Sequence, residues 1–321
     1  MPIDKKLIMN DIIIIGAGPA ALLTAYYLKQ YLNCNVTIIG KLYGQYENAF
    51  GPRYLHVSDE VEKILRQFNI KQNVKKTNIG FCYNDEIKDY ATKEFLLEYS
   101  RITRDGKHYD STASGGNNFE YFDFSQKEFI ETICRFLWSQ GTTYYNSLIE
   151  RVDYYDNNHV AIHLDNNYSI RTSHEYIINT IPAPDFCKLF DVNPYFKYEY
   201  KSKYFVKING LMFNDYDYIY YADKDIPFIR VTDNKDKTIT YESIDRDNVC
   251  ILKKIFMSSG ILQYGTLKYG YFLENHCLDH IGDIKCFGRY ASWDHSIQFH
   301  TLCDKLKDFV DHVMAYGWGN E

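Results

Sequence analysis

The sequence predicts an α/β protein in which a parallel sheet with helices packed on it is interleaved with an α+β region whose sheet is mostly antiparallel. Three observations carry that expectation. Residues 11–44, DIIIIGAGPAALLTAYYLKQYLNCNVTIIGKLYG, read as strand, glycine turn, helix and strand, and such a βαβ unit crosses over right-handed, so its two strands are parallel neighbours. Two further amphipathic helices, 58–68 and 125–141, and a late strand, IKCFG, return the chain to that sheet. Between these returns lie stretches dense in aromatic residues and punctuated by polar turns, the pattern of antiparallel strands.

The elements follow in order. Asp11 to Ile15 is a β-branched run suited to a strand buried on both faces, and Ala20 to Leu32 sets Leu22, Leu23, Tyr26, Tyr27 and Leu28 at helical spacing. NVTIIG supplies the second buried strand. SDEVEKILRQF has a serine cap, acids in its first turn and Val61, Ile64, Leu65 and Phe68 on one face. Residues 71–124 are polar and aromatic, with ITRDGKHY and TASGGNN as turn signals, so a small inserted sheet with loops is expected. SQKEFIETICRFLWSQG is another capped helix. Three short strands with Asn-rich turns run to YIINT, before a proline-punctuated break at IPAPDF. From Phe190 to Asp279 aromatic strands alternate with DKD and DNKDK turns, and IKCFG is paired with a helix beginning near SWDHSIQF. With no repeat or low-complexity linker, two interleaved domains are expected: 1–70, 125–185 and 280–321 in one, 71–124 and 186–279 in the other.

Composition narrows the function classes. A chain of 321 residues can bury a large core. Its 36 Lys and Arg against 42 Asp and Glu give a net charge of −6, which disfavours nucleic acid as a partner. Eight cysteines without a C-x-x-C pair suggest neither a disulfide framework nor a metal site, and fit free thiols in a reducing cytoplasm. No run approaches the roughly 18 apolar residues of a membrane span, and the first apolar run is too short for a signal peptide. A soluble, cytoplasmic protein acting on a small molecule is expected.

Gly16-Ala17-Gly18-Pro19-Ala20-Ala21 has the G-x-G-x-x-A form, placed after a strand and opening a helix. The first glycine permits the tight turn, the second lets a pyrophosphate approach the backbone, and the small third residue lets helix pack on strand. The helix N-terminus then presents free N–H groups to negative charge. This is a Rossmann-like dinucleotide loop; the competing reading is a tight turn that serves packing alone. The carboxylate expected about 20 residues on, for a ribose hydroxyl, is absent: Gly40 and Lys41 follow VTII instead. Either Glu47 in the next loop replaces it, or backbone and water do. Lys41 is a candidate phosphate neutraliser, which keeps NADP open, or a solvated surface lysine.

Two further stretches carry a family resemblance. FGPRYLHVSDEV, 50–61, resembles the glycine-proline-histidine turn of UDP-galactopyranose mutases and of the protoporphyrinogen oxidase and amine oxidase group. CFGRYASWDHS, 286–296, is similar to the late flavin segment of the same superfamily. The resemblance implies a FAD-binding domain built on the parallel sheet and a substrate domain built on the antiparallel one. It implies that Gly16, Gly18, Pro19, Ala20 and Ala21 approach the FAD pyrophosphate. Gly51 and Pro52 would turn near the isoalloxazine, and Gly288, Arg289 and Ala291 would contact it from the far side.

Where that turn carries a first histidine, this chain has Arg53; the second is retained as His56. Arg53 is a candidate anion ligand, with a structural salt bridge as the alternative, and His56 a candidate proton-transfer group. Asp294 and His295 are candidates for catalysis or for a helix cap. IPFIRVTD and YEYKSKYF are similar to mutase stretches, which makes Arg230, Lys201 and Tyr200 candidate substrate contacts.

The expectation is therefore an FAD-dependent oxidoreductase passing hydride from a small polar or amino-bearing substrate to flavin N5. Three alternatives stay open: a non-redox nucleotide-sugar mutase, a nucleobase-modifying flavoenzyme of viral type suggested by the Asn-, Ile-, Lys- and Tyr-rich composition, and a non-catalytic flavin-fold interaction protein.

Overall fold

A computed structural model describes residues 11–41, 55–107, 119–122, 126–156, 158–194, 196–212, 215–234, 237–256 and 260–318. Glu47, Gly51, Pro52 and Arg53 lie outside them.

The fold is mixed α/β, with parallel and antiparallel sheets. Strand β1 (Ile12–Ile15), helix α1 (Pro19–Tyr27) and strand β2 (Val36–Ile39) form the first crossover, β1 and β2 pairing in parallel. Four consecutive isoleucines make β1, and all four are buried because the strand is covered on both faces. Alternation assigns them: Ile12 and Ile14 pack with α1 and the helices Gln126–Ser139 and Phe299–Tyr316, while Ile13 and Ile15 pack with Val160, Phe186 and Trp293. Burying each isoleucine contributes about 2–3 kcal/mol before the entropy of ordering the chain is charged against it. The sheet has six strands, in the order 280–281, 284–286, 177–179, β1, β2, 143–145; only the edge strand 280–281 is antiparallel.

A second sheet has seven strands, in the order 261–272, 200–209, 238–243, 230–233, 218–221, 79–83, 86–88, antiparallel except for the parallel pairing of 218–221 with 79–83. Helix Lys93–Arg104 packs on one face through Phe95 and Tyr99, and helix Arg246–Phe256 on the other through Val249 and Leu252. Two smaller sheets complete the fold: an antiparallel meander of 149–154, 159–164 and 169–173, and the strands 55–56, 120–122 and 74–76.

Three expectations change. Residues 71–124 contain a twelve-residue helix as well as strands. The Thr92 hydroxyl accepts from the Phe95 amide at 3.1 Å, and Phe95, Tyr99 and Thr103 fall on one buried face. Within ITRDGKHY, residues 102–104 are the end of this helix, with Asp105 left-handed at its C-cap. A second helix, Arg246–Phe256, interrupts the aromatic strands. The stretch before IPAPDF holds four strands: three turn on themselves as the meander, and Ile177–Asn179 alone enters the parallel sheet.

Candidate functional site

Gly16 is left-handed, at φ +110°, and donates its amide to the Ile39 carbonyl at 2.8 Å. A Cβ there would lie 2.3 Å from Thr180 Oγ1. Gly18 is the N-cap of α1 at φ −80°, and a Cβ on it would meet nothing within 4 Å. Packing explains the first glycine and leaves the second free for another purpose. Pro19 opens the helix, no side chain caps it, and its first turn carries no acid. Its leading N–H groups and positive dipole end are therefore available to an anion. Open space at Gly18 together with an uncapped helix start fits a pyrophosphate.

Gly40 also has a packing reason. A Cβ there would lie 2.9 Å from the Ala17 nitrogen and 3.0 Å from the Gly16 carbonyl carbon, so β2 leaves room for no side chain where a ribose-binding acid would stand. Its amide donates to Tyr145 O at 3.1 Å and its carbonyl accepts from the Tyr144 hydroxyl at 2.5 Å. Lys41 pairs with Asp165 of the meander at 3.3 Å, an exposed contact of small energetic weight.

The late segment comes directly onto this loop. Gly288 is left-handed at φ +99°, and a Cβ on it would lie 2.7 Å from the Ala20 Cβ. The Phe287 amide donates to Asn179 O at 2.9 Å, anchoring the segment at the end of the central strands. The turn then closes on itself: Ser292 N donates to Gly288 O at 2.9 Å, Asp294 N to Arg289 O at 3.0 Å, and Arg289 Nε to Ile297 O at 2.9 Å. Ala291 is fully buried with Ile13 and Ile15. Asp294 is spent on the turn, accepting at Oδ1 from the Ser296 amide and hydroxyl. The last helix begins at Phe299 with Gln298 as its cap, so neither Asp294 nor His295 caps it.

His295 stacks on Tyr271, ring centroids 5.8 Å apart, and its Nδ1 is buried without a hydrogen-bond partner among the described residues. Burial, and then the nearby cations Arg289, Arg104 and Lys203, hold it well below the usual histidine range. Tyr271 gathers this region together. Lys203 Nζ sits 4.7 Å from its ring centroid, the Arg104 guanidinium 5.9 Å, and its hydroxyl lies 3.0 Å from that of Tyr99. Arg230 and Lys203 share the buried carboxylate of Glu242, Lys203 at 2.9 Å. Tyr220, Arg230 and Glu242 are cross-strand partners in one row.

Of this group only Arg230, Arg289 and His295 were expected from the sequence. Arg104, Lys203, Glu242, Tyr99 and Tyr271 were not, although the apolar face of the helix at 93–104 offered a signal for Tyr99 and Arg104. Lys201 is the cross-strand partner of Tyr271, but its ammonium is turned to the end of that helix, donating to Ile102 O at 2.9 Å and pairing with Asp105 at 2.6 Å. Tyr200 packs edge-on to Tyr269 and lines an open groove of about 390 Å³ with Asp105, Lys107 and Glu199.

His56 stacks on Phe119 at 4.0 Å and on His300 of the last helix at 4.7 Å. Burial, and then His300, push it down to about 4. Burial lowers His300 as well. Both are neutral in the folded protein at pH 7, whereas the unfolded chain protonates near 6.5. Between those values the unfolded state binds more protons, so stability is intact above pH 6.5 and is lost as pH falls toward 4. The melting temperature is expected to drop between pH 7 and pH 4.5, on the order of 5 °C, and His300→Phe to flatten that profile in a thermal-shift series. An unchanged slope would remove the pair from the account.

Among the described residues, no group of three or more His, Cys, Asp or Glu is placed to hold a metal, and no helix is long and apolar enough to cross a membrane. No protein-family model and no curated protein matches the sequence. Solved structures do match by fold. Reduced UDP-galactopyranose mutase is similar over 96% of each chain, with 13% identity and a TM-score of 0.64. An oxidoreductase from Methanosarcina mazei is similar over 94% of this chain and 100% of its own, with 10% identity and a TM-score of 0.62. Aklavinone-11 hydroxylase, solved with FAD and aklavinone, is similar over 96% of this chain and 64% of its own, with 12% identity and a TM-score of 0.62. At these identities the likeness is one of fold, and the fold that this chain shares is found in flavin-dependent proteins of different chemistries.

Proposed function

We propose that this chain is an FAD-dependent oxidoreductase whose Rossmann-like FAD-binding domain comprises 1–70, 125–185 and 280–321, with 71–124 and 186–279 as substrate domain. One observation carries the reading: Gly288 lies against Ala20, so the glycine loop and the late segment that resembles a flavin-contacting motif, 268 residues apart in sequence (288 − 20), meet at the start of α1. FAD in the fold neighbour aklavinone-11 hydroxylase supports the same cofactor.

Gly16, Gly18, Pro19, Ala20 and Ala21 would hold the pyrophosphate, with Gly288 and Arg289 toward the ring system. Bound there, FAD supplies a two-electron acceptor for a small polar substrate. The rest falls to the chain's own residues. Arg289, Arg104 and Lys203 make the surroundings of His295 electropositive, which favours negative charge appearing during reduction. His295, neutral at pH 7, can accept a proton at Nδ1 but does not store one. Tyr99 and Tyr271 hold one another through their hydroxyls and fix the ring beside His295. The mutase reading is second: the fold of UDP-galactopyranose mutase favours it, but Lys201, which it needs for phosphate, is occupied at a helix end.

Gly18→Ala tests the cofactor reading. With open space at that position and an ordinary φ, stability should change by no more than about 0.5 kcal/mol. FAD affinity, read by flavin fluorescence on titration, should weaken about tenfold or more, because the methyl occupies the pyrophosphate's approach. Equal FAD affinity in parent and variant, or none in the parent, refutes the reading.

A further inference from the structure

We infer that Lys203 and Arg230, on the Tyr271 and Tyr218 face of the seven-stranded sheet, form an anion site that takes the carboxylate or phosphate group of the substrate. This rests on the flavoenzyme reading for the word substrate, and on charge and exposure for the site itself.

Lys203 and Arg230 share one carboxylate, Glu242, which leaves the trio with an excess positive charge. Buried charge without compensation is costly, and a bound anion removes that cost. Exposure shows from which side the anion would come: the Glu242 side chain is 3% exposed, whereas Lys203 and Arg230 keep 16% and 23%. The carboxylate is sealed behind the cations, and the cations reach accessible space. Arg230 Nε is a buried donor with no hydrogen-bond partner among the described residues. Arg104, itself 5% exposed, adds a third cation beside the same Tyr271 ring.

Aromatic rings frame these charges. The Arg230 guanidinium lies 5.5 Å from the Tyr218 ring centroid and 5.7 Å from that of Tyr220, and Lys203 lies over Tyr271. Rings beside cations hold the cationic groups in place and offer flat apolar surface to the body of a ligand. Gly270 makes the arrangement possible, since a Cβ there would lie 2.4 Å from the Lys203 Cβ. A bare cationic amine is disfavoured by the same charges, which narrows the substrate to one bearing an oxyanion.

The test is calorimetric titration of the purified protein with sodium benzoate and with inorganic phosphate, each against sodium chloride at equal ionic strength, with and without added FAD. Saturable binding of either anion is expected. Benzoate alone identifies a carboxylate and phosphate alone a phosphate, and both outcomes support the site. Lys203→Met should weaken binding about tenfold or more, and Lys203→Arg should retain it. A parallel measurement needs no variant: the Arg230 Nε–H resonance should shift on titration. No binding beyond chloride, equal affinity in Lys203→Met, or an unmoved Arg230 resonance overturns the inference. Anion binding without FAD uptake would leave the anion site standing and defeat the flavin reading; FAD uptake without anion binding would do the reverse.

Discussion

Glu242→Gln is expected to destabilise the protein by about 3–5 kcal/mol. Glu242 is 2% exposed and is held down to about 2, burial opposing the shift and the adjoining Arg230 and Lys203 overcoming it. The amide keeps the shape and removes the charge, so two cations are left facing one another without their shared counter-ion. Their partial exposure places the loss toward the lower end of that range. Urea unfolding at pH 7 measures it, and Glu242→Gln combined with Lys203→Met should recover part of the loss, because one uncompensated charge goes with the lysine. The linkage has a defined sign. The carboxylate's folded value lies below its unfolded one, so its stabilisation is present above about pH 4.5 and is lost as pH falls toward 2. The parent should lose stability across that window more steeply than the Glu242→Gln variant. A loss under 1 kcal/mol would mean that water, and not the protein, already solvates this row.

Gly16→Ala is the second large effect. The backbone at φ +110° is strained for any L side chain, and the methyl would fall 2.3 Å from Thr180 Oγ1, whose hydroxyl donates to Ile15 O at 2.7 Å. Strain and overpacking each cost about 1–3 kcal/mol, so a total near 3–5 kcal/mol is expected, together with loss of FAD retention. Gly18→Ala, two residues on, should leave the fold intact. The contrast separates a glycine kept for the turn from one kept for a ligand. Equal melting temperatures for the two variants would refute that division.

Local signals made the first crossover legible. Four β-branched residues, two glycines and a helix of small and apolar residues lie within a short stretch, and each preference agrees with the next. Gly288 and Arg289 were legible only through resemblance, since a glycine-arginine pair has no physical meaning until Ala20 is known to lie against it. The helix 93–104 was hidden because its C-cap, Asp105-Gly106, reads as a turn wherever it occurs. Gly40 looked like a missing acid; it is a backbone contact with Ala17, and periodicity carries no record of such a contact. The Lys203, Arg230 and Glu242 cluster was invisible for another reason. Its members come from three strands joined only by hydrogen-bond register, and neither charge nor spacing in the sequence announces which lysine faces which glutamate.

The strand order of the parallel sheet bears on how the chain acquires its shape. β1 sits between β2, which follows within 25 residues (36 − 12 + 1), and Ile177–Asn179, whose own outer neighbour is Ile284–Cys286. During synthesis the glycine turn at 16–18 is made well before its packing partners Thr180 and Gly288. Such long-range pairing makes folding slow. The sheet around β1 is complete only when Ile177–Asn179 and Ile284–Cys286 have been added to it.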